Sequence, residues 1–264
     1  MDIFQAIILG AIQGITEFLP VSSSGHLELT QSFLGITPSE RHLFFNLCCH
    51  LGTTMALCYA FFPEIKRLWG VDRRRGFQLL IATLPLFPLV LIIKPLKNFL
   101  SEPQYLGPCF LITALILYCG VRFGKEVQPA VLKRRWWQDA LIIGTSQGIA
   151  LCPGISRSGA TISVGRVLGW STHEAVLFSF FLSIPTVLGG LVLELYHLVV
   201  APSFSQAPGF SLNLGICCLI AFITAALVGS LSIKMMMKLV MKGNLIYFAW
   251  YCGLLGVLTF ISTL

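Results

Sequence analysis

Two stretches of the sequence place reactive polar side chains inside otherwise apolar runs. The first carries Gln13, Glu17, the Ser22–Ser24 run and His26, and the second is Pro153-Gly-Ile-Ser-Arg-Ser-Gly159. A glutamate within an apolar, membrane-type segment is costly, so a functional role is the default hypothesis for it. An acid, an imidazole, hydroxyls and a guanidinium in such segments predict a two-part anion site inside a membrane.

Glu17 and Gln13 are four residues apart and therefore share one face of a helix. Glu17 could ligate a divalent cation, with Gln13 as a neutral oxygen ligand; it could instead act as a base or hold His26. The structural alternative is a protonated Glu17 in a hydrogen bond between helices.

The serine-rich turn offers hydroxyls, a flexible glycine and an imidazole. Its backbone N–H groups can form an anion-binding nest, and the helix that follows adds the positive end of its dipole. Ser22, Ser24 and Gly25 are candidate substrate-binding residues, although a serine here could be only a helix cap. His26 is the candidate nucleophile or general acid/base, and Ser23 or water could be the nucleophile that it activates.

The second turn supplies the guanidinium of Arg157, whose fork geometry suits bidentate phosphate binding. A salt bridge to Glu17 is the structural alternative. Four neighbours complete the predicted anion site: Gly154, Ser156, Ser158 and Gly159. These groups suit a phosphate that stays at the membrane. His50 and Glu28 are weaker candidates, and Arg166 is interpreted as structural.

The elements that position these residues repeat each other. At an offset of 134, nine of the twenty positions from 6 to 25 are identical. The apolar part of each copy is about 13–15 residues long, which is short for a bilayer crossing. Each copy therefore predicts a re-entrant helix–loop–helix hairpin, since irregular backbone is tolerated at membrane depth only where it lines a polar cavity.

Composition predicts an integral membrane protein. The 264 residues are 56% hydrophobic and 11% charged, against about 25% charged in soluble domains. Basic loops at 63–76, 122–138 and 234–243 hold 13 of the 18 lysines and arginines, which indicates a cytoplasmic location for these loops and explains the net charge of +7 without nucleic acid. Six apolar runs are long enough to span: 44–62, 77–94, 105–121, 175–198, 213–233 and 245–263.

Three spans follow each hairpin, so the two halves should have inverted topology. The predicted fold is an all-α polytopic membrane protein with six full transmembrane helices and two re-entrant hairpins. It forms a single domain over 1–264, with repeat one at about 1–121 and repeat two at about 136–264. The site is expected at the repeat interface near the midplane.

The two motifs resemble the signatures of the bacterial undecaprenyl-diphosphate phosphatases, the bacitracin-resistance family. The resemblance rests on the stretch from Gln13 to His26 and on Pro153 to Gly159, and span pattern and length agree over the whole chain. Gln13 occupies a position that is often Glu in that family. The resemblance implies hydrolysis of undecaprenyl diphosphate, which recycles the lipid carrier for peptidoglycan synthesis and gives bacitracin resistance.

The resemblance also implies a divalent cation, Mg²⁺ with Ca²⁺ as the alternative, and a site opening to the extracytoplasmic side of the bacterial inner membrane. Type-2 phosphatidic acid phosphatases are excluded, because they need a histidine six residues after the arginine and Ser163 stands there. The rival function is a transporter that flips undecaprenyl phosphate, since inverted repeats are transporter architecture. The expected partners are the polyprenyl lipid and the bilayer, and the sequence leaves a homodimer open.

Overall fold

Every regular element in the described part of the chain is an α-helix. The computed structural model describes residues 1–36, 40–92, 102–127, 136–200, 212–241 and 245–263. The helices are α1 (Ile3–Thr16), α2 (Ser23–Phe33), α3 (Glu40–Ala60), α4 (Phe62–Trp69), α5 (Arg73–Thr83, with a helical continuation at 86–92), α6 (Pro103–Phe123), α7 (Trp136–Ile149), α8 (Arg157–Val167), α9 (Thr172–Val200), α10 (Leu212–Met241) and α11 (Ile246–Ser262).

Four stretches are long and apolar enough to cross a membrane, so the chain is a multi-pass membrane protein. They are Arg73–Ile92, Gln104–Phe123, Thr172–Leu193 and Leu212–Leu239. The helix pair Phe44–Ala60 and Phe62–Trp69, bent by 81°, makes a fifth if it counts as one span. The sixth predicted span corresponds to α11, which has 17 residues and ranks among the shorter apolar helices. The count of six stays a prediction.

The bend between α3 and α4 has a local cause. Pro63 lies in the first turn of α4 and has no N–H with which to continue the hydrogen-bond ladder of α3. α4 also carries Glu64, Lys66 and Arg67, which belong outside the hydrocarbon layer.

Each of the two repeated motifs contains two short helices. α1 and α7 have 14 residues each, and α2 and α8 have 11 each. A helix needs about 20 residues to cross a bilayer, so none of the four crosses alone. Asp2 starts α1 with a capping box, in which its side chain accepts from the backbone N–H of Gln5 at 2.7 Å.

Glycines hold each short apolar helix against a long helix from the other half of the chain. A Cβ added to Gly10 in α1 would lie 2.7 Å from the carbonyl oxygen of Ala221 in α10. At the equivalent position of the second copy, a Cβ on Gly144 in α7 would lie 2.1 Å from the carbonyl oxygen of Ala82 in α5. Such close backbone approach is typical of packing between membrane helices.

Candidate active site

The two polar turns, far apart in sequence, are in direct contact. A Cβ on Gly25 would lie 2.8 Å from Cα of Gly154, so the turns can meet this closely only with a glycine at position 25. Gly154 also has φ +85°, a left-handed conformation that favours glycine. Ser158 Oγ donates to the carbonyl oxygen of Leu19 at 3.3 Å, and a Cβ on Gly159 would lie 3.4 Å from that of Pro20. The two motifs thus form one site.

The N-termini of α2 and α8 both begin at this contact. Ser22 precedes α2 with φ 68°, and it is the one non-glycine residue with positive φ in the described part of the chain. Ser156 caps α8, because its Oγ accepts from the N–H of Gly159 at 3.0 Å. A helix N-terminus carries partial positive charge, so two of them here favour an anion.

Thr113 of α6 braces the second turn, and sequence reasoning missed it. Its Oγ1 accepts from the N–H of Ser156 at 2.9 Å and donates to the carbonyl oxygen of Gly154 at 2.8 Å. Because both bonds are made by one buried hydroxyl, the turn is fixed relative to α6. A threonine within an apolar span gives no sequence signal for such a role.

Glu17 is the centre of the polar cluster, and its side chain is 4% exposed. Arg157 Nη2 donates to Oε1, while Ser23 Oγ donates to Oε2 at 2.6 Å and Gln13 Nε2 donates to Oε2 at 2.8 Å. These donors suit an ionised carboxylate, which only accepts. The salt bridge between Arg157 and Glu17 that the sequence offered as an alternative is therefore present.

His50 of α3, a weaker candidate in the sequence analysis, joins this cluster. Its Nδ1 lies 2.8 Å from Gln13 Nε2 and 3.2 Å from Glu17 Oε2. His50 and Arg157 also border a cavity of about 170 Å³. The remaining lining residues of that cavity are Leu47, Val187 and Gly190. The cavity therefore has a polar wall and an apolar one.

His26 is held by other groups. Its Nδ1 lies 2.7 Å from the carbonyl oxygen of Ser22, and its Nε2 lies 2.8 Å from the hydroxyl of Tyr251 in α11. Since a carbonyl only accepts, Nδ1 carries the proton and Nε2 accepts from Tyr251. Phe110 packs edge-on against the ring at 5.2 Å. Glu17 does not hold His26, which was one of the roles that the sequence left open for it.

The remaining candidates lie at the edges of the site. Ser24 is half-buried in the first turn of α2. Arg166 donates to the carbonyl oxygens of Trp170 at 2.9 Å and Gly124 at 3.3 Å, which agrees with its interpretation as structural. Tyr251, like Thr113, could not be found from a motif, because a single tyrosine in an apolar helix is ordinarily a packing residue.

The chemistry of Gln13 and Glu17, an amide oxygen and a carboxylate, suits a hard divalent cation. Gln13 Oε1 is buried and has no hydrogen-bond partner among the residues that the structure describes, while the nitrogen of the same amide donates to Glu17. The described residues contain no cluster of three or more His, Cys, Asp or Glu side chains of metal-binding type. Two protein oxygens, with the rest of the shell from water and phosphate, is an arrangement typical of Mg²⁺.

Comparisons with known proteins identify the family of the chain. The family described as "Bacitracin resistance protein BacA" matches residues 6–258. The chain is 46% identical to the Undecaprenyl-diphosphatase of Protochlamydia amoebophila, over 98% of each chain. It is 38% identical to that of Carboxydothermus hydrogenoformans over 97% of this chain and 96% of the relative, and 34% identical to that of Methanosphaera stadtmanae over 99% and 98%. A match over nearly the full length shows that the chain belongs to the BacA family of bacitracin resistance proteins.

Proposed function

We propose that this protein hydrolyses undecaprenyl diphosphate to undecaprenyl phosphate and inorganic phosphate. The observation that carries the proposal is the buried pair of Glu17 and Arg157 at the meeting point of two helix N-termini. Relatives that carry the name Undecaprenyl-diphosphatase match the chain over nearly its whole length. Release of the monophosphate recycles the lipid carrier for peptidoglycan synthesis and cell shape, and it accounts for bacitracin resistance.

Arg157 and the two helix starts bind the diphosphate. The guanidinium has five N–H donors, and its contact with Glu17 leaves donors for phosphate oxygens. Each helix N-terminus adds about half a positive charge. The turn with Ser22, Ser24 and Gly25 faces the anion on one side, and the turn with Gly154 and Ser158 faces it on the other. Ser156 and Gly159 shape this second turn, because their N–H groups already donate to Thr113 Oγ1 and Ser156 Oγ. Because these groups are fixed before substrate arrives, they also stabilise charge on the phosphoryl group in transfer.

Two groups are placed to supply a nucleophile. The Ser23 hydroxyl already donates to Glu17 at 2.6 Å, so Glu17 can take a proton from Ser23 or from a water in its place. His26 Nε2 carries a lone pair that Tyr251 covers, and it becomes available for attack on phosphorus or for base catalysis when Tyr251 moves aside. Ser23, water and His26 remain the candidates.

A divalent cation, Mg²⁺ with Ca²⁺ as the alternative, would be held by Gln13 Oε1 and Glu17 and would neutralise phosphate charge when bound. The chain's own contribution is the arrangement of this oxygen pair. The amide nitrogen of Gln13 donates to Glu17, which holds the two side chains together on one face of α1.

The proposed architecture is six spans with two re-entrant hairpins in inverted repeats, about 1–121 and 136–264. The exchange of partners supports it, because α1 packs on α10 of the second half while α7 packs on α5 of the first. Two-fold related repeats would give this pattern. With the basic loops in the cytoplasm, the site opens to the extracytoplasmic side of the inner membrane and the isoprenoid chain stays in lipid.

The experiment is inorganic phosphate release from undecaprenyl diphosphate by the purified full chain, with and without Mg²⁺, beside the His26→Ala variant. Metal-dependent release that the variant loses is the expected result. No release from a folded sample would overturn the hydrolase assignment. Vesicles with labelled lipid test the flippase alternative: leaflet exchange of the monophosphate without phosphate release would favour transport.

A further inference from the structure

The imidazole of His50 stands on the polar wall of the cavity, next to Arg157. Its side chain is 24% exposed, the same fraction as that of Arg157, whereas Glu17 behind them is 4% exposed. The volume of about 170 Å³ far exceeds the roughly 15 Å³ that one water needs, so the space can take a phosphate group. His26, by contrast, is buried against Tyr251 and Phe110.

The amide of Gln13 has a single orientation that satisfies its neighbours. The same atom of Gln13 lies 2.8 Å from Glu17 Oε2 and 2.8 Å from His50 Nδ1. Glu17 is ionised beside Arg157 and only accepts, so this atom must be the amide nitrogen, since an oxygen there would face another acceptor. The nitrogen has two hydrogens, one for each partner.

The tautomer of His50 follows from this orientation. A proton on Nδ1 would face the Gln13 N–H at 2.8 Å, whereas an unprotonated Nδ1 accepts from it. The longer contact of 3.2 Å to Glu17 Oε2 does not outweigh this shorter one. The proton of the neutral ring therefore lies on Nε2, the nitrogen on the edge of the ring turned away from Gln13 and Glu17.

We propose that His50 is a phosphate-binding residue of the catalytic site, whose Nε2–H donates to a phosphate oxygen held by Arg157. Gln13 is its positioning residue, because its amide nitrogen fixes the ring through Nδ1. The inference rests on the proposed phosphatase function and adds a substrate contact to it. Gln13 then has two separate tasks, with its nitrogen on His50 and Glu17 and its oxygen free for a cation.

The test uses variants that imitate one ring nitrogen each. In His50→Gln the amide nitrogen can reach the place of Nε2, and in His50→Asn the amide reaches only the place of Nδ1. Undecaprenyl diphosphate hydrolysis by the purified full chain gives kcat and KM, and inhibition by inorganic phosphate reports product binding at the same site. The matched control is His173→Gln, a histidine on the exposed start of α9.

We expect His50→Ala and His50→Asn to weaken phosphate inhibition and to raise KM by about 10- to 100-fold. This is the effect expected from the loss of one hydrogen bond to a charged group. His50→Gln should recover most of this loss, and His173→Gln should match the unaltered protein. Gel-filtration and melting profiles identify variants that fail to fold, and His50→Gln then carries the test. In that case we compare His50→Gln with the folded unaltered protein. Equal KM and equal phosphate inhibition would show that an amide N–H in the place of Nε2–H is enough to bind phosphate.

Three results would overturn the inference. Near-normal KM and phosphate inhibition in folded His50→Ala would show that the ring does not contact phosphate. Recovery by Asn rather than Gln would make Nδ1 the working atom and reverse the tautomer. Folded His50→Gln could also show a KM and a phosphate inhibition as poor as those of the Ala or Asn variants. That result would show that no Nε2–H contact to phosphate exists. If the unaltered protein were itself inactive, the proposed phosphatase function would be wrong. Failure of the His50 proposal can therefore be distinguished from failure of the phosphatase function.

Discussion

Replacement of Arg157 by alanine separates binding of phosphate from support of the fold. The variant leaves Glu17 ionised and 4% exposed without its guanidinium partner. Removal of one partner of a buried ion pair costs about 3–5 kcal/mol. Oε2 keeps its donors Ser23 and Gln13, and Arg157 is itself 24% exposed, so we expect the lower end, about 3 kcal/mol. At about 2–4 °C per kcal/mol, the melting temperature should fall by about 6–12 °C.

Turnover should fall much further, by about 10³-fold or more, as for other arginines that stabilise phosphoryl transfer. Phosphate release and thermal unfolding are measured on the same detergent samples. The decisive variant is the double replacement Arg157→Ala with Glu17→Gln, which removes the uncompensated charge. It should regain about 2 kcal/mol of the lost stability, because a neutral amide is cheaper to bury, and it should regain no turnover.

The matched control is Arg166→Ala in the same helix, where two hydrogen bonds to backbone carbonyl oxygens are lost and activity should be kept. Near-normal turnover in Arg157→Ala would refute the phosphate-binding role. A double variant no more stable than Arg157→Ala would refute the buried ion pair as the source of the destabilisation.

Three further predictions concern the same site. Glu17→Gln should raise the Mg²⁺ concentration for half-maximal phosphate release by about tenfold, and an unchanged titration would make Glu17 a base or a structural group. Gly25→Ala should lower stability by about 1–3 kcal/mol and reduce turnover, because its Cβ would lie 2.8 Å from Cα of Gly154; in the control Gly253→Ala the nearest atom is 3.8 Å away, and equal melting curves for the two would contradict this reasoning. Tyr251→Phe should cost about 1 kcal/mol of unfolding free energy, since one hydrogen bond to His26 is lost, and an unchanged melting temperature would show that this bond is not formed.

The meeting of Glu17 with Arg157 could be predicted from the sequence because both lie in copies of one repeated motif. The aligned copies share glycines at 10 and 144, and both glycines allow close backbone packing against a helix of the other half. Helix class and most span boundaries follow from apolar run length, which is a local property. These features depend on the local sequence, so they can be predicted without knowing which distant residues are in contact.

The direction of individual hydrogen bonds could not be predicted. His26 points to Tyr251, and His50 completes the environment of Glu17, because α11 and α3 happen to pack beside the two turns. The sequence around a histidine in an apolar helix does not indicate which side chain it contacts on a neighbouring helix. The bend of 81° after Ala60 also escaped the span prediction, since apolar run length ignores the proline that causes it.

The exchange of partners between the two halves has a consequence for biosynthesis. Arg157 follows Glu17 by 140 residues, and the helix that receives Gly10 begins only at Leu212. At about 5–20 residues per second, the ribosome makes Arg157 roughly 7–28 s after Glu17. During that interval the first motif has neither its counter-charge nor its docking surface. We therefore expect its final packing to follow the synthesis of the second half, and a nascent chain cut short before α8 lacks the counter-charge of Glu17.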